Sequence, residues 1–386
     1  RASYGLQGNI DKNTSPYLLG NYRIENILPG GSEDMIDVSG APNKKLRWEK
    51  THSVNAGFDF AVLNQAINLS VDYYYRKGVD LIGTQMLPLE TGFEMLTVNW
   101  ASMQNQGVEV ALSTRNIHTK NFMWTTNFNF AYNNNKILKE ALREDALEPG
   151  REGYPVGALF ALKTAGLDEE GYPMFEGKDG KAVSAMEFFK LQEWGFGATD
   201  LTARERRELY TYVGTADCPY TGGFNNTFTY KAFELGVNFS FDFGGKVRSQ
   251  PTYSIVDFDK GRNTNRDILN RWTPENTETI FPVLLSQNER LDEYMWYSNQ
   301  NEIYRNLDIW IRDLNYVRLQ NIRLGYTLPT NFSRKLGMTS ATIAIEGRNL
   351  LVFGSSYKNY LDPETMSNAY ATPAPKSVTL SLNLNF

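Results

Sequence analysis

The chain has little of what enzymes most often use. It carries two histidines, His52 and His118, and one cysteine, Cys218. A single cysteine excludes an internal disulfide and a cysteine metal cluster. Cys218 is followed by Pro219 and has no histidine beside it to activate the thiol. His52 stands at an expected strand start and His118 in an expected tight turn, so the pair does not converge on one site as a general base would require. No glycine-rich phosphate loop of the P-loop or dinucleotide type occurs. The run Asp257-Phe-Asp-Lys-Gly261 lacks the spaced oxygen ligands and closing glutamate of a calcium loop. Asp168, Glu169 and Glu170 read as a solvated turn, since adjacent carboxylates hold no fixed separation across a glycosidic bond. Charge of one sign is also scarce: 39 basic against 44 acidic residues give a net charge of −5, with no electrostatic footprint for nucleic acid. Nor is there an apolar run of the roughly 20 residues that a spanning helix needs.

What the chain does have is alternation. Aromatics make up 13% of residues, yet they are diluted among polar ones rather than gathered into runs. In the terminal stretch 377–386, Val378, Leu380, Leu382, Leu384 and Phe386 fall on one face of a strand, and Ser377, Thr379, Ser381, Asn383 and Asn385 on the other. The same period-2 pattern recurs at 1–8, 52–60, 66–77, 105–115, 122–132, 222–230, 233–243, 313–327 and 340–350, which predicts ten strands as a lower estimate, with two more possible near 153–165. The apolar set changes parity between Leu319 and Ile322 and again from Gly347 to Leu350, as a bulge would cause. Such strands fit either a soluble sandwich, whose apolar face meets a second sheet, or a transmembrane barrel, whose apolar face meets lipid.

The connections favour the barrel. Segments 61–65, 116–121, 231–232 and 328–339 are short, and they alternate strictly with long ones at 9–51, 78–104, 133–221, 244–312 and 351–375. Tight turns at one end and large loops at the other are the pattern of an antiparallel outer-membrane barrel. Tyr73, Tyr74, Tyr75, Trp124, Tyr132, Tyr230, Tyr316 and Tyr326 lie near expected strand ends, where an aromatic girdle belongs. Within 133–221, Ser184–Glu187 and Thr202–Glu205 fit the capping-box spacing, with a short helix expected from Arg204 to Val213. The expected fold class is all-β, a portion of an antiparallel transmembrane β-barrel.

Several segments also resemble one family. They are Arg312-Asp-Leu-Asn-Tyr-Val-Arg-Leu-Gln-Asn-Ile-Arg-Leu-Gly-Tyr-Thr-Leu-Pro329, Glu346-Gly-Arg-Asn-Leu-Leu351, Tyr360-Leu-Asp-Pro-Glu364 and the terminal Phe386. Before them come Tyr4-Gly with Gly8-Asn9, Leu46-Arg-Trp-Glu-Lys-Thr51, Val71-Asp-Tyr-Tyr74 with Asp80-Leu81, Asn105-Gln-Gly-Val-Glu109 and Arg271-Trp-Thr-Pro-Glu-Asn276. Together and in this order they resemble the SusC/RagA-like TonB-dependent outer-membrane transporters of Bacteroidetes. The stretch Pro42 to Arg47, just before Trp48, departs from the family's asparagine-rich pattern, and the central loops match little.

The resemblance implies a 22-stranded barrel with an N-terminal plug, of which residues 1–386 would be the C-terminal portion of one barrel domain, without the plug and first strands. It implies bacterial outer-membrane location amid lipid, TonB contacted through the absent N-terminal region, and a SusD-like surface lipoprotein as lid. It also implies assembly by the barrel-assembly machinery reading Leu382, Leu384 and Phe386. The cargo it implies is an oligosaccharide or a peptide. No catalytic, cofactor or metal residues are expected. Ligand or lid contacts are expected among loop aromatics and their polar neighbours: Trp272, Tyr294, Trp296, Tyr297, Trp310, Tyr357, Asn359, Tyr360 and Asp362. A ring flanked by Asn, Asp or Arg can stack on a sugar face while the polar groups fix orientation. These aromatics favour an oligosaccharide. A non-transporting surface glycan-binding β protein is the alternative outside transport.

Overall fold

The computed structural model describes all residues except 11, 13, 29–30, 39, 94, 143, 193–198, 250–260, 262–265, 284–304, 355–361 and 366–371. Seventeen strands run in chain order: β1 (Ala2–Asn9), β2 (Gly20–Leu28), β3 (Gly31–Val38), β4 (Glu49–Val62), β5 (Ile67–Met86), β6 (Met95–His118), β7 (Phe122–Lys139), β8 (Ala158–Leu162), β9 (Thr164–Leu167), β10 (Pro173–Glu176), β11 (Ala182–Val183), β12 (Tyr210–Thr215), β13 (Tyr220–Tyr230), β14 (Phe233–Arg248), β15 (Ile311–Thr327), β16 (Ser340–Phe353) and β17 (Ser377–Asn385). Ten of them form one antiparallel sheet in the order β1-β4-β5-β6-β7-β13-β14-β15-β16-β17. These are the ten strands that alternation marks, each antiparallel to its neighbours.

The pairing register carries one apolar face across the whole sheet. Val378, Leu380 and Leu382 of β17 stand opposite Gly347, Ile345 and Ile343 of β16. Ile345 and Ile343 stand opposite Leu324 and Tyr326. The face continues through Leu235, Phe228, Trp124 and Ile117 on the next four strands. Among the described residues nothing covers it: Val378 is 68% exposed, Leu380 75% and Phe58 61%. A sandwich would lay a second sheet here, and the other sheets, of three, two and two strands, lie elsewhere.

Aromatic rows bound this face at both ends. Phe122, Tyr230, Phe233 and Tyr326 are register partners beside the tight turns. Tyr132, Tyr220 and Phe243 are partners ten residues further along β13. Ten residues at about 3.4 Å each span ~34 Å, and a strand tilt of about 40° reduces this to ~25 Å, the height of an outer-membrane apolar band. The one asparagine on this face of β13, Asn226, accepts from Trp124 Nε1 (3.0 Å) and Thr126 Oγ1 (2.7 Å), so its polar oxygen is not left bare.

The expected parity changes are bulges. The β15–β16 register shifts between Leu319 and Asn321, opposite Asn349 with φ of 53°. Strands β5, β6 and β7 run well past the expected ends, β6 being 24 residues long. Beyond the aromatic row their side chains no longer alternate by polarity, so periodicity could not mark the extension. The stretch 153–165 does contain strands, but β8 pairs with β12 outside the large sheet. The helix expected from Arg204 to Val213 ends early: α2 is Ala203–Glu208, and Tyr210–Thr215 becomes β12 because β8 offers a ladder. Of the two capping boxes, Thr202–Glu205 is complete, while Ser184 accepts from Glu187 N to cap α1 (Ala185–Phe188). A third helix, α3 (Thr330–Lys335), fills the short connection before β16.

Candidate functional site: the loop end of the sheet

The inner face of the sheet is polar. Asp72, Glu109, Ala131, Thr221, Asp242 and Tyr316 form one cross-strand row, and Ser113, Asn127, Asn225 and Asn238 belong to the row nearer the turns. Gly107 lacks the side chain that would block its neighbours, and across it Tyr74 Oη donates to Asn133 Oδ1 at 2.8 Å. A concave space of about 600 Å³ lies along this wall, with Asp59, Ser70, Asn129 and Asn225 among its lining.

At the loop end the long connections fold onto one another. Leu162, Tyr172, Phe175, Phe189, Leu191, Leu307 and Trp310 make a compact core from the segments before and after β13–β14. Leu162 N donates to Asn306 O (2.8 Å), Thr164 Oγ1 to Asp308 Oδ1 (2.6 Å), and Val283 N to Gly171 O (2.9 Å). These bonds tie two loops that are separate in sequence into one body. Loops this long with their own core are built to do something beyond connecting strands.

The expected contact residues fall into different places. Trp272 is half-buried and lies over Gly171, whose positive φ and missing side chain make room for the indole. Trp310 is not at the surface: it is 1% exposed, packed against Phe281, because the loops need its ring as core. Asp362 is 9% exposed and turned to the wall, ion-paired with Arg318. Tyr294, Trp296, Tyr297, Tyr357, Asn359 and Tyr360 lie outside the described residues. Leu382, Leu384 and Phe386 line the exposed apolar face.

Arg318 organises the last connection. Its side chain is 1% exposed, and it donates to Asp362 and, at 2.8 Å, to Glu364. Tyr316 Oη donates to Asp242 and lies 3.3 Å from Glu364 Oε1. Asp362 Oδ1 also accepts from Glu364 N at 3.0 Å, so a local turn presents both carboxylates to one guanidinium. Arg47 and Asp80 make a second such knot: Arg47 Nη2 lies 2.5 Å from Asp80, Lys50 Nζ 3.3 Å, and Asn99 Nδ2 donates to both backbones at 2.7 Å. Hydrogen bonding from Arg47 holds the Asp80 carboxyl below its usual value.

Sequence reasoning missed another cluster. Tyr154, Phe160 and Tyr212 pack with ring centroids 4.7 to 5.8 Å apart. Tyr154 is 38% exposed and Tyr212 37%, so ring faces remain open. Phe160 and Tyr212 meet only through the β8–β12 pairing, across some fifty residues, and no local signal could join them. Cys218 is half-buried, and burial pushes its thiol up, away from reactivity. Among the described residues no group of three or more His, Cys, Asp or Glu is placed to hold a metal ion.

No family model matches the chain. The TonB-dependent receptor P3 of Formosa agariphila is 28% identical over 418 residues, across all of this chain. The TonB-dependent receptor SusC of Bacteroides thetaiotaomicron is 26% identical over 368 residues, across 89% of it. Among solved structures, the RagAB peptide transporter superposes on the whole chain with a TM-score of 0.75 at 23% identity, over 40% of that chain. The chain is similar to SusC/RagA-like TonB-dependent receptors. The SusC/RagA-like fold gives the polar wall and the loop body their setting, an antiparallel barrel of the TonB-dependent receptor kind. The chain spans 39% and 32% of the length of those two curated relatives.

Proposed function

We propose that this chain forms part of the wall and extracellular mouth of a TonB-dependent outer-membrane importer, and that its cargo is an oligosaccharide. The observation that carries the reading is the sorting of the sheet's features. An apolar band of membrane height faces outward, a polar wall faces inward, and the long connections lie at one end, where two of them fold into a body with open aromatic faces. Such a wall suits passage of a polar solute, and such a mouth suits its capture.

In this reading the residues make and break no bonds. Ligand is captured between the loop body and a SusD-like surface lipoprotein, and TonB then drives release inward through parts of the receptor outside these ten strands. Among the described residues, strands β1 and β17 each pair on one side only, and unpaired strand edges are not tolerated in lipid, so in this reading further strands close the barrel. The barrel-assembly machinery would insert it, with Leu382, Leu384 and Phe386 as the signal.

The fold likeness to a peptide transporter favours one second reading, import of oligopeptides by the same mechanism. A strain lacking the gene separates the two. Loss of growth on one glycan, with growth on peptides kept, is expected; loss on peptides alone would replace the sugar reading by the peptide one.

A further inference from the structure

At the loop end of β14, Arg248 reaches into a cavity of about 470 Å³ beside β8 and β12. Its guanidinium is partly buried and has an unusual set of partners. Nη1 donates to Arg305 O at 2.8 Å and Nη2 to Phe160 O, both backbone carbonyls. No carboxylate of the described residues lies within ion-pairing distance. A partly desolvated cation normally has a counter-charge. The two nearby acids do not supply it. Glu140 is committed to Arg151, accepting from Nη2 at 2.7 Å, Nε at 3.1 Å and the backbone N at 2.6 Å. Glu148 lines the same cavity, exposed and beyond pairing distance.

The two carbonyls fix the plane of the guanidinium. The fork has five N–H groups, of which the two carbonyls engage two, and Arg248 itself lines the cavity. A planar fork held in place with donors to spare is a receptor for a carboxylate, which it can bind through two parallel hydrogen bonds. Tyr210, hydrogen-bonded by Asn306 Nδ2 (3.4 Å), adds polar lining. Phe160 belongs both to this lining and to the ring cluster with Tyr154 and Tyr212. The volume lies in the range that holds small ligands.

We propose that this cavity is a carboxylate-binding subsite of the mouth, where Arg248 takes a carboxylate carried by the cargo and the Tyr154–Phe160–Tyr212 rings lie beside the adjoining part of it. The inference rests on the import reading and narrows its substrate class to acidic ligands. A uronic acid residue and a peptide carboxylate are the two sources of that group.

The test uses the full-length receptor with its lipoprotein in detergent, and calorimetry with two probe pairs. One pair is an oligogalacturonate and its carboxyl-reduced form; the other is a short peptide and its C-terminal amide. In the wild-type protein one carboxylate probe should bind at least ten-fold more tightly than its neutral counterpart. Arg248→Gln should bring the two affinities together, Arg248→Lys should keep part of the difference, and Glu148→Gln should tighten carboxylate binding. Equal affinity for both members of each pair, or a difference that survives Arg248→Gln, overturns the subsite. If the neutral sugar still binds, oligosaccharide import stands without the subsite. If only the peptide pair shows the contrast, the subsite stands and the sugar reading falls. If neither pair binds, both fall.

Discussion

A guanidinium that is 1% exposed cannot lose its carboxylates without consequence. Replacing Arg318 by glutamine leaves the buried side chain of Asp362 as a charge with no cation, a change that costs about 3–5 kcal/mol. Hydrogen exchange at Asp362 to Thr365 should rise with it, and a loss below about 1 kcal/mol in denaturant unfolding would mean that the last connection is not anchored there. Asp80 carries a different expectation. Its folded carboxyl titrates below its unfolded value, so its contribution is fully present above the ordinary aspartate range near pH 4 and is lost as pH falls through the depressed folded value. Amide protection of Arg47, whose N–H donates to Asn99 Oδ1 within this knot, should therefore fall in acid. In Asp80→Asn it should already be low at pH 7, and wild-type protection independent of pH down to 3 would contradict the pairing.

At the scale of elements, β17 joins the sheet by its register with β16 and ends on the exposed Phe386. Removing Leu382 to Phe386 should reduce the amount of assembled, heat-modifiable barrel, and undiminished outer-membrane levels would refute an assembly role. The loop body has its own sensitive point. Gly171 holds φ of +86° with Trp272 over it, so Gly171→Val should loosen the loop body while leaving the sheet intact. Proteolysis confined to residues between β7 and β13 would report this, and wild-type resistance would contradict it.

The same division explains what the sequence made legible. A membrane strand must alternate, so all ten strands and the bulge near Leu319 could be read from residue order. Outside the lipid that constraint vanishes, and the extension of β6 back to Met95 had no signature. Within the loop body, pairing partners lie far apart in sequence. The local helix signal at Arg204 held only to Glu208 before the β8 ladder prevailed. For the site, aromatic type was visible and burial was not, so Trp310 looked like a contact residue and proved to be core. Tyr154 and Tyr212 looked unremarkable and present open faces, while the role of Arg248 depends on two carbonyls that no motif announces.

At the scale of the whole molecule the features work as one device. In the proposed importer, lipid-facing side chains hold the wall in place, polar rows line the passage, and the loop body with its arginine-bearing cavity stands where cargo would enter. The central claim is energy-coupled import, and uptake of a fluorescent oligosaccharide by intact cells tests it most directly. Wild-type cells should accumulate the label, and accumulation should disappear on deleting the gene or on collapsing the proton gradient that drives TonB. Unchanged accumulation in the deletion strain, across every glycan on which the parent grows, would contradict the claim.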